Sequence, residues 1–340
     1  MTDPLLSVAD LRTYIHADGG TIRAADGISF DVDRGETVCL VGESGSGKSV
    51  TCESITGIVP QPPAEIVGGT ITFDGTDLRG ASDGERRAIR GDRIAHVFQN
   101  PQHAHDPVYT VGDQRVEAIE IHENADSRAA RERAVDLLRR VGIPDPKTRV
   151  DDYPHQFSGG MQQRVAIAMA LSCDPDLLIA DEPTTAVDVT VQARLIELLE
   201  SLTDDGTAIL WVTHDLRVVA RVADRVLVMF GGTIVERGPT AAVFDRPAHP
   251  YTQSLFDSFR GSTTDEAREA RGDVPTDGCR FRAECPHAVE ACAGGDQPVF
   301  HPTGDDTGPD GHRAACVFYG EGRDPATVLP AAEARGETDD

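Results

Sequence analysis

Lysine is almost missing from this chain: Lys48 and Lys147 are the only two among 340 residues, and nearly every other cation is arginine. A compact ammonium and a planar guanidinium fit differently among oxyanions, so a lysine kept in such a background marks a place where the chemistry requires it. Also missing is any apolar run long enough to span a bilayer, and the opening MTDPLLSVAD has no basic segment leading into an apolar stretch. Both absences argue against a membrane-spanning or secreted chain, and a cytosolic one is expected. No basic patch interrupts the formal net charge of −25, which argues against nucleic acid as a partner because its phosphates would be repelled. No internal repeat or low-complexity block stands out. What remains is a globular composition, 39% hydrophobic, sufficient for one large domain and a smaller one.

Lys48 lies in VGESGSGKS, residues 41–49, between an apolar run ending at Val41 and a segment from Ser49 to Val59 that opens like a helix. Gly42, four residues, Gly47, Lys48 and Ser49 form the phosphate-loop pattern, in which glycines let backbone N–H groups turn inward around phosphate oxygens at a helix N-terminus. Gly42, Ser44, Gly45, Ser46, Gly47, Lys48, Ser49 and Val50 are therefore the candidate nucleotide-binding residues. Lys48 is placed to reach the β and γ phosphates and the Ser49 hydroxyl to bind Mg²⁺.

Further on, DLLIADEP reads as a buried strand that delivers Asp181 toward the same Mg²⁺, with Glu182 one residue beyond as a candidate general base. Residues 1 to about 100 alternate short β-rich runs with Gly and Asp turns, as in a nucleotide-binding core with an antiparallel strand layer. From about 100 to 170 the pattern turns helical, with Ala134, Leu137, Leu138 and Val141 at helical spacing. Strands and helices then alternate between 175 and 240, the mark of parallel βαβ units.

Upstream of Asp181 lies YPHQFSGGMQQR, with Ser158, Gly159 and Gly160 at the start of a helix. With TTAVD after Glu182 and WVTHD at 211–215, the sequence resembles the ABC ATPases. The resemblance implies an α/β P-loop NTPase of RecA-like type, an ABC nucleotide-binding domain over residues 1–245 with an antiparallel β layer and a helical subdomain at about 100–170. It implies ATP and Mg²⁺ as cofactors, Gln99 as the glutamine that contacts Mg²⁺ and the attacking water, and His214 as the residue that contacts the γ-phosphate and orients Glu182. Ser158, Gly159 and Gly160 would donate to the γ-phosphate on the opposite subunit, Asp188 would act in the dimer loop, and Tyr14 would stack on adenine.

The stretch RPAHPYTQSLF at 246–256 resembles the segment that opens the C-terminal extension of oligopeptide and dipeptide importer ATPases, and FSGGM is typical of their D-type subunit. That resemblance implies an extension over 246–325, a disordered acidic tail over 326–340, and a place on the cytoplasmic face of the membrane. The implied partners are a second ATPase as a heterodimer, two transmembrane permeases and an extracytoplasmic solute-binding protein. A soluble ABC ATPase acting on nucleic acid or the ribosome is the alternative, although neither long coiled coils nor a duplicated cassette is present.

Cys39, Cys52 and Cys173 are isolated and read as buried, inert thiols. Cys279, Cys285, Cys292 and Cys316 cluster in the extension, with intervals of five, six and twenty-three residues. A reducing cytosol disfavours disulfides. Zinc sites commonly use close cysteine pairs, which are missing here. The spacing resembles the [4Fe-4S] site of this importer family's extension, with zinc and free thiols as the alternatives.

Overall fold

The structure, a computed structural model, describes residues 3–17, 19–100, 105–122, 126–184, 189–259, 274–304 and 311–329. The chain opens with the hairpin β1 (Leu6–Ala17) and β2 (Gly20–Val32), then β3 (Thr37–Val41) and α1 (Lys48–Thr56). Next come β4 (Ala64–Phe73), β5 (Thr76–Asp77), α2 (Asp83–Ile89) and β6 (Ile94–Val97). The helical segment holds α3 (Val111–His122), α4 (Ser127–Arg140), α5 (Pro146–Arg149) and α6 (Gly159–Ala170). The core resumes with β7 (Leu177–Asp181), α7 (Val189–Asp204), β8 (Ala208–Thr213), α8 (Leu216–Val222), β9 (Arg225–Phe230), β10 (Thr233–Pro239) and α9 (Thr240–Asp245). Beyond it lie α10 (Pro250–Phe259), β11 (His301–Pro302) and β12 (Arg313–Ala314).

These elements build two sheets, a four-stranded one in the order β2-β1-β4-β5 and an eight-stranded one in the order β11-β12-β10-β9-β3-β8-β7-β6. β6, β7, β8, β3 and β9 pair in parallel. Every residue of β3, β7 and β8 is buried, as expected of a parallel sheet covered on both faces. The pleat of β3 divides its side chains between two cores. Val38 and Leu40 face the small sheet with Leu11, Ile28 and Phe30, whereas Cys39 and Val41 pack with Trp211, Leu195 and Val219. The buried thiols Cys39 and Cys52 are pushed above the ordinary cysteine range by that burial.

The helical subdomain forms where the spacing predicted it. Asp126 caps α4 by accepting from the backbone N–H groups of Arg128 and Ala129, and Ala130, Ala134, Leu137 and Leu138 form its buried face. A fully buried Arg115 ties α3 to α6, donating to the carbonyls of Val111 and Val165. Its burial lowers its pKa to about 9.

The extension is not set apart from the core. β12 adds antiparallel to β10, pairing Ala314 with Glu236 and Arg313 with Arg237, and so lengthens the large sheet. Glu236 is fully buried; its Oε1 accepts from the backbone N–H of Ala248 at 2.8 Å and its Oε2 from that of His249 at 2.7 Å, while His312 Nε2 stands 2.7 Å from Oε1. The ordered chain also runs past residue 326, where the tail was expected to begin. Pro325–Thr327 forms a 3-10 turn, Val328 is buried, and Gln253 Nε2 donates to its carbonyl at 2.7 Å. Residues 330–340 lie outside the described residues.

Because Glu236 holds two buried N–H groups and His312 at once, Glu236→Ala is expected to cost about 3–5 kcal/mol, the scale for breaking one side of a buried polar pair. Chemical denaturation of the two proteins side by side checks this. A change below about 1 kcal/mol, the scale of an exposed pair, would show that the anchor is not structural.

Candidate functional site

The loop after β3 closes around its own lysine. Lys48 is buried, and its ammonium donates to the carbonyls of Gly42 and Glu43, both at 2.8 Å, and to Ser46 Oγ at 3.3 Å. All three ammonium hydrogens are thereby used. Burial lowers the Lys48 pKa, and the nearby carboxylates of Glu182 and Asp181 act against that shift. Gly47 caps α1 at φ 104°, and a Cβ there would stand 1.9 Å from the Ala24 carbonyl oxygen. Only glycine fits this position.

Asp181 ends β7 next to this loop and is hydrogen-bonded by the Ser49 hydroxyl. It is 4% exposed, and its Oδ1 has no hydrogen-bond partner. Burial raises its pKa, with Glu182 adding to the effect. A buried carboxylate oxygen without a partner, beside a serine hydroxyl and a phosphate loop, is the donor set that a hard divalent cation takes. The residues present therefore fit Mg²⁺ carried by a nucleotide.

Glu182 follows at φ 49°, a left-handed conformation that costs a non-glycine residue about 1–3 kcal/mol and persists where the surroundings fix it. Two side chains from other segments hold its carboxylate. Gln99 Nε2 donates to Oε2 at 3.1 Å, and His214 Nδ1 lies 3.1 Å from Oε1. An ionised carboxylate only accepts, so this pairing places a proton on Nδ1. Gln99, Glu182 and Lys48 line one cleft, and a cavity of about 790 Å³ adds His214 to them.

Ser44, Gly45, Gly47, Lys48, Ser49 and Val50 line the adjoining cavity of about 620 Å³. Ser158, Gly159 and Gly160 line neither cavity. Ser158 caps α6, its hydroxyl accepting from Met161 N at 3.4 Å, and a Cβ on Gly159 would meet nothing within 4 Å. The helix start is thus open to solvent at Ser158 and Gly159. Asp188 lies outside the described residues.

Tyr14, expected against adenine, does not line the cleft. Its hydroxyl donates to Asp26 Oδ1 at 2.9 Å and the Arg23 guanidinium sits over its ring at 5.6 Å. The neighbouring Ile15 lines the cavity instead, since successive strand side chains point to opposite faces. Sequence reasoning also missed Tyr251, whose hydroxyl accepts from the backbone N–H of Glu43 at 3.0 Å within the phosphate loop. The His-Pro-Tyr motif flagged the tyrosine but carried no sign of where it would reach.

The four extension cysteines converge. Cys279, Cys292 and Cys316 are buried and Cys285 is half-buried; Cys292 lies near enough to Cys279 and Cys285 to act on them electrostatically, and all three lie near enough to act on Cys316. Burial pushes Cys279 up to about 11 and Cys316 up to about 12. Backbone N–H groups two residues on, at Phe281, His287 and Phe318, oppose the rise by hydrogen bonding to three of the sulfurs. Among the described residues no group of three or more His, Cys, Asp or Glu side chains stands close enough to hold a metal ion.

Comparison with known proteins places this geometry. A family model described as ABC transporter matches residues 25–185, and one described as the oligopeptide/dipeptide transporter C-terminal region matches residues 235–292. The dipeptide transport ATP-binding protein DppD of Bacillus subtilis is 46% identical over 85% of this chain and 89% of its own length. Its namesake in Escherichia coli is 44% identical over 92% and 96%. A dimeric post-hydrolysis ATP-binding cassette bound to ADP and Pi superimposes with a TM-score of 0.64 at 26% identity, covering 69% of this chain and 98% of that one. With its phosphate loop, paired carboxylates and extension all in place, the chain belongs to the ABC transporter family and carries an ABC ATPase domain of the oligopeptide/dipeptide branch.

Proposed function

We propose that the chain is the ATP-hydrolysing subunit of an importer that takes up peptides across the cytoplasmic membrane. One observation carries the catalytic half of this reading: the Glu182 carboxylate, next to the phosphate loop, is gripped by both Gln99 and His214. Glu182 acts as the general base on the attacking water, within reach of a proton at Oε1 or Oε2. Gln99 and His214 orient that carboxylate, and His214 also contacts the terminal phosphate. Lys48 neutralises phosphate charge, while Ser49 and Asp181, with Gln99, hold the cation. Mg²⁺, when bound, supplies the positive charge that stabilises phosphate oxygens during transfer.

The partner assignments rest on placement and likeness. Ser158, Gly159 and Gly160 stand at an outward-facing helix start, which suits donation to a nucleotide on a second ATPase. Asp188 would meet that same neighbour. The relatives are named as peptide transport ATP-binding proteins, and no helix of the described residues is long and apolar enough to cross a membrane. Two permeases therefore hold the chain at the cytoplasmic face, a second and different ATPase completes the pair, and an extracytoplasmic binding protein selects the peptide. Nucleic acid is disfavoured by the net charge of −25.

For the extension, the reading is that Cys279, Cys285, Cys292 and Cys316 ligate a [4Fe-4S] cluster with a structural role. Mutual proximity of four thiols and backbone N–H donors to three sulfurs support thiolate ligation.

Three experiments test these assignments. Glu182→Gln should keep ATP binding and lower phosphate release by the assembled transporter at least about a hundredfold, whereas Lys48→Ala should lose binding itself; near wild-type turnover in Glu182→Gln would remove Glu182 from its role. Gly47→Ala should abolish nucleotide binding, because its new Cβ would displace the Ala24 carbonyl from 1.9 Å, and equilibrium dialysis reads the loss. Anaerobically purified protein should be brown and contain about four iron and four sulfide per chain; colourless protein with one zinc per chain would reject the cluster.

A further inference from the structure

The cavity of about 620 Å³ that contains Lys48, Ser49 and Val50 takes its remaining wall from two segments far apart in the chain. Ile15 and Ile22 come from the β1–β2 hairpin, and Val274, Pro275 and Thr276 come from the extension. Ile22 is 59% exposed and Val274 44% exposed, so both leave apolar surface open to the cleft they line. No aromatic side chain is among the described residues lining this cavity.

The extension's contribution is built rather than draped. Asp26, 4% exposed at its side chain, accepts from Arg12, Tyr14 and Arg23 and pairs with the buried Arg280. Two of those arginines reach on to the extension backbone. Arg280 Nη1 donates to the Pro275 carbonyl at 2.6 Å, and Arg23 Nη1 donates to the Thr276 carbonyl at 3.1 Å. Val274 then packs over the β9–β10 turn so closely that a Cβ on Gly231 would lie 2.6 Å from its Cγ1. Segment 274–276 is thereby pinned to the hairpin that carries Ile15 and Ile22.

Position along the cleft identifies what this end receives. The Glu182, Gln99 and His214 group marks the terminal-phosphate end, which opens into the neighbouring cavity toward Leu255 and Phe259. A nucleoside triphosphate laid over Lys48 with its last phosphate there must direct its base toward the hairpin and segment 274–276. We propose that the C-terminal extension completes the nucleotide site, Val274 and Pro275 forming with Ile15 and Ile22 an aliphatic clamp on the base. The inference rests on the reading of this cleft as an ATP site. Contact with flat apolar surface holds a base by area buried and excludes water from it.

The test compares two ligands of the full-length chain by calorimetry, ATP and inorganic tripolyphosphate, which has no base. Val274→Ser and Ile22→Ser should each weaken ATP binding about five- to tenfold, the loss of one packed aliphatic side chain, and leave tripolyphosphate affinity unchanged. Photolabelling with 8-azido-ATP should mark the peptide containing 274–276 in the wild-type chain. Weakening by Ile22→Ser alone, with Val274→Ser and the photolabel pattern both indifferent to the extension, would overturn the proposal. Equal weakening of both ligands by Val274→Ser would overturn it too, since the effect would then lie in the phosphate cradle. Failure of the wild-type chain to bind either ligand would instead sink the underlying ATP reading.

Discussion

A buried ammonium held by the carbonyls of its own loop is the interaction on which the cleft depends. Lys48 can be desolvated only because Gly42 O, Glu43 O and Ser46 Oγ take its three hydrogens, and because two carboxylates stand near enough to oppose the loss of charge. The loop keeps that shape under pressure from both sides. The Ala24 carbonyl of the small sheet closes on Gly47, and Tyr251 of the extension accepts the N–H of Glu43. The phosphate loop is thus wedged between the small sheet, which closes on it with a backbone carbonyl, and the extension, which holds it with a side-chain hydroxyl.

From that fixed loop the Glu182 carboxylate is set at a distance by β7, and its direction is set by contacts rather than by the strand. Glu182 leaves the strand in a left-handed conformation, so the peptide after Asp181 turns sharply and the two adjacent carboxylates serve different ends. Asp181 stays buried against Ser49, and Glu182 meets Gln99 and His214. Gln99 follows β6 at the junction with the helical subdomain, while His214 follows β8. One carboxylate is thus held between two separate segments of the chain.

Much of this was legible in the sequence. Strand, glycine turn and helix around Lys48 follow from local pattern, as do the buried strand before Asp181 and the apolar face of α4. Tyr14 does not line the cleft, and local pattern carries no sign of which face of β1 does. Tyr14 and Ile15 are successive residues of β1 and point to opposite faces of the strand. Ile15 therefore enters the cleft and Tyr14 turns to Asp26. The extension was recognised as a unit, yet its junction with the core was hidden, because β11 and β12 are two residues each and carry no periodicity to detect. Val274 and Arg280 reach the cleft across more than two hundred residues of intervening chain, and only the folded arrangement reveals it.

Two buried carboxylates tie the extension to the core and the cleft. Glu236 fixes the start of α10 and the β12 side through Ala248, His249 and His312, and Asp26 fixes segment 274–280 through Arg280. Between these anchors an aromatic group fills the space, Phe230 and Phe281 packing on Tyr251 with ring centroids 4.5 and 5.5 Å away. Phe281 belongs to the turn whose N–H reaches the Cys279 sulfur, and Tyr251 holds the phosphate loop at Glu43. Neither the cysteine group nor the loop can shift without repacking rings that are already in contact, and close-packed interiors transmit such strain rather than absorb it. Arginine suits the polar half of this arrangement, since one planar fork can bind a carboxylate and a carbonyl together, as Arg280 does with Asp26 and Pro275. Lysine, with a single point of charge, is kept at only two positions, and Lys48 is the one in the phosphate loop.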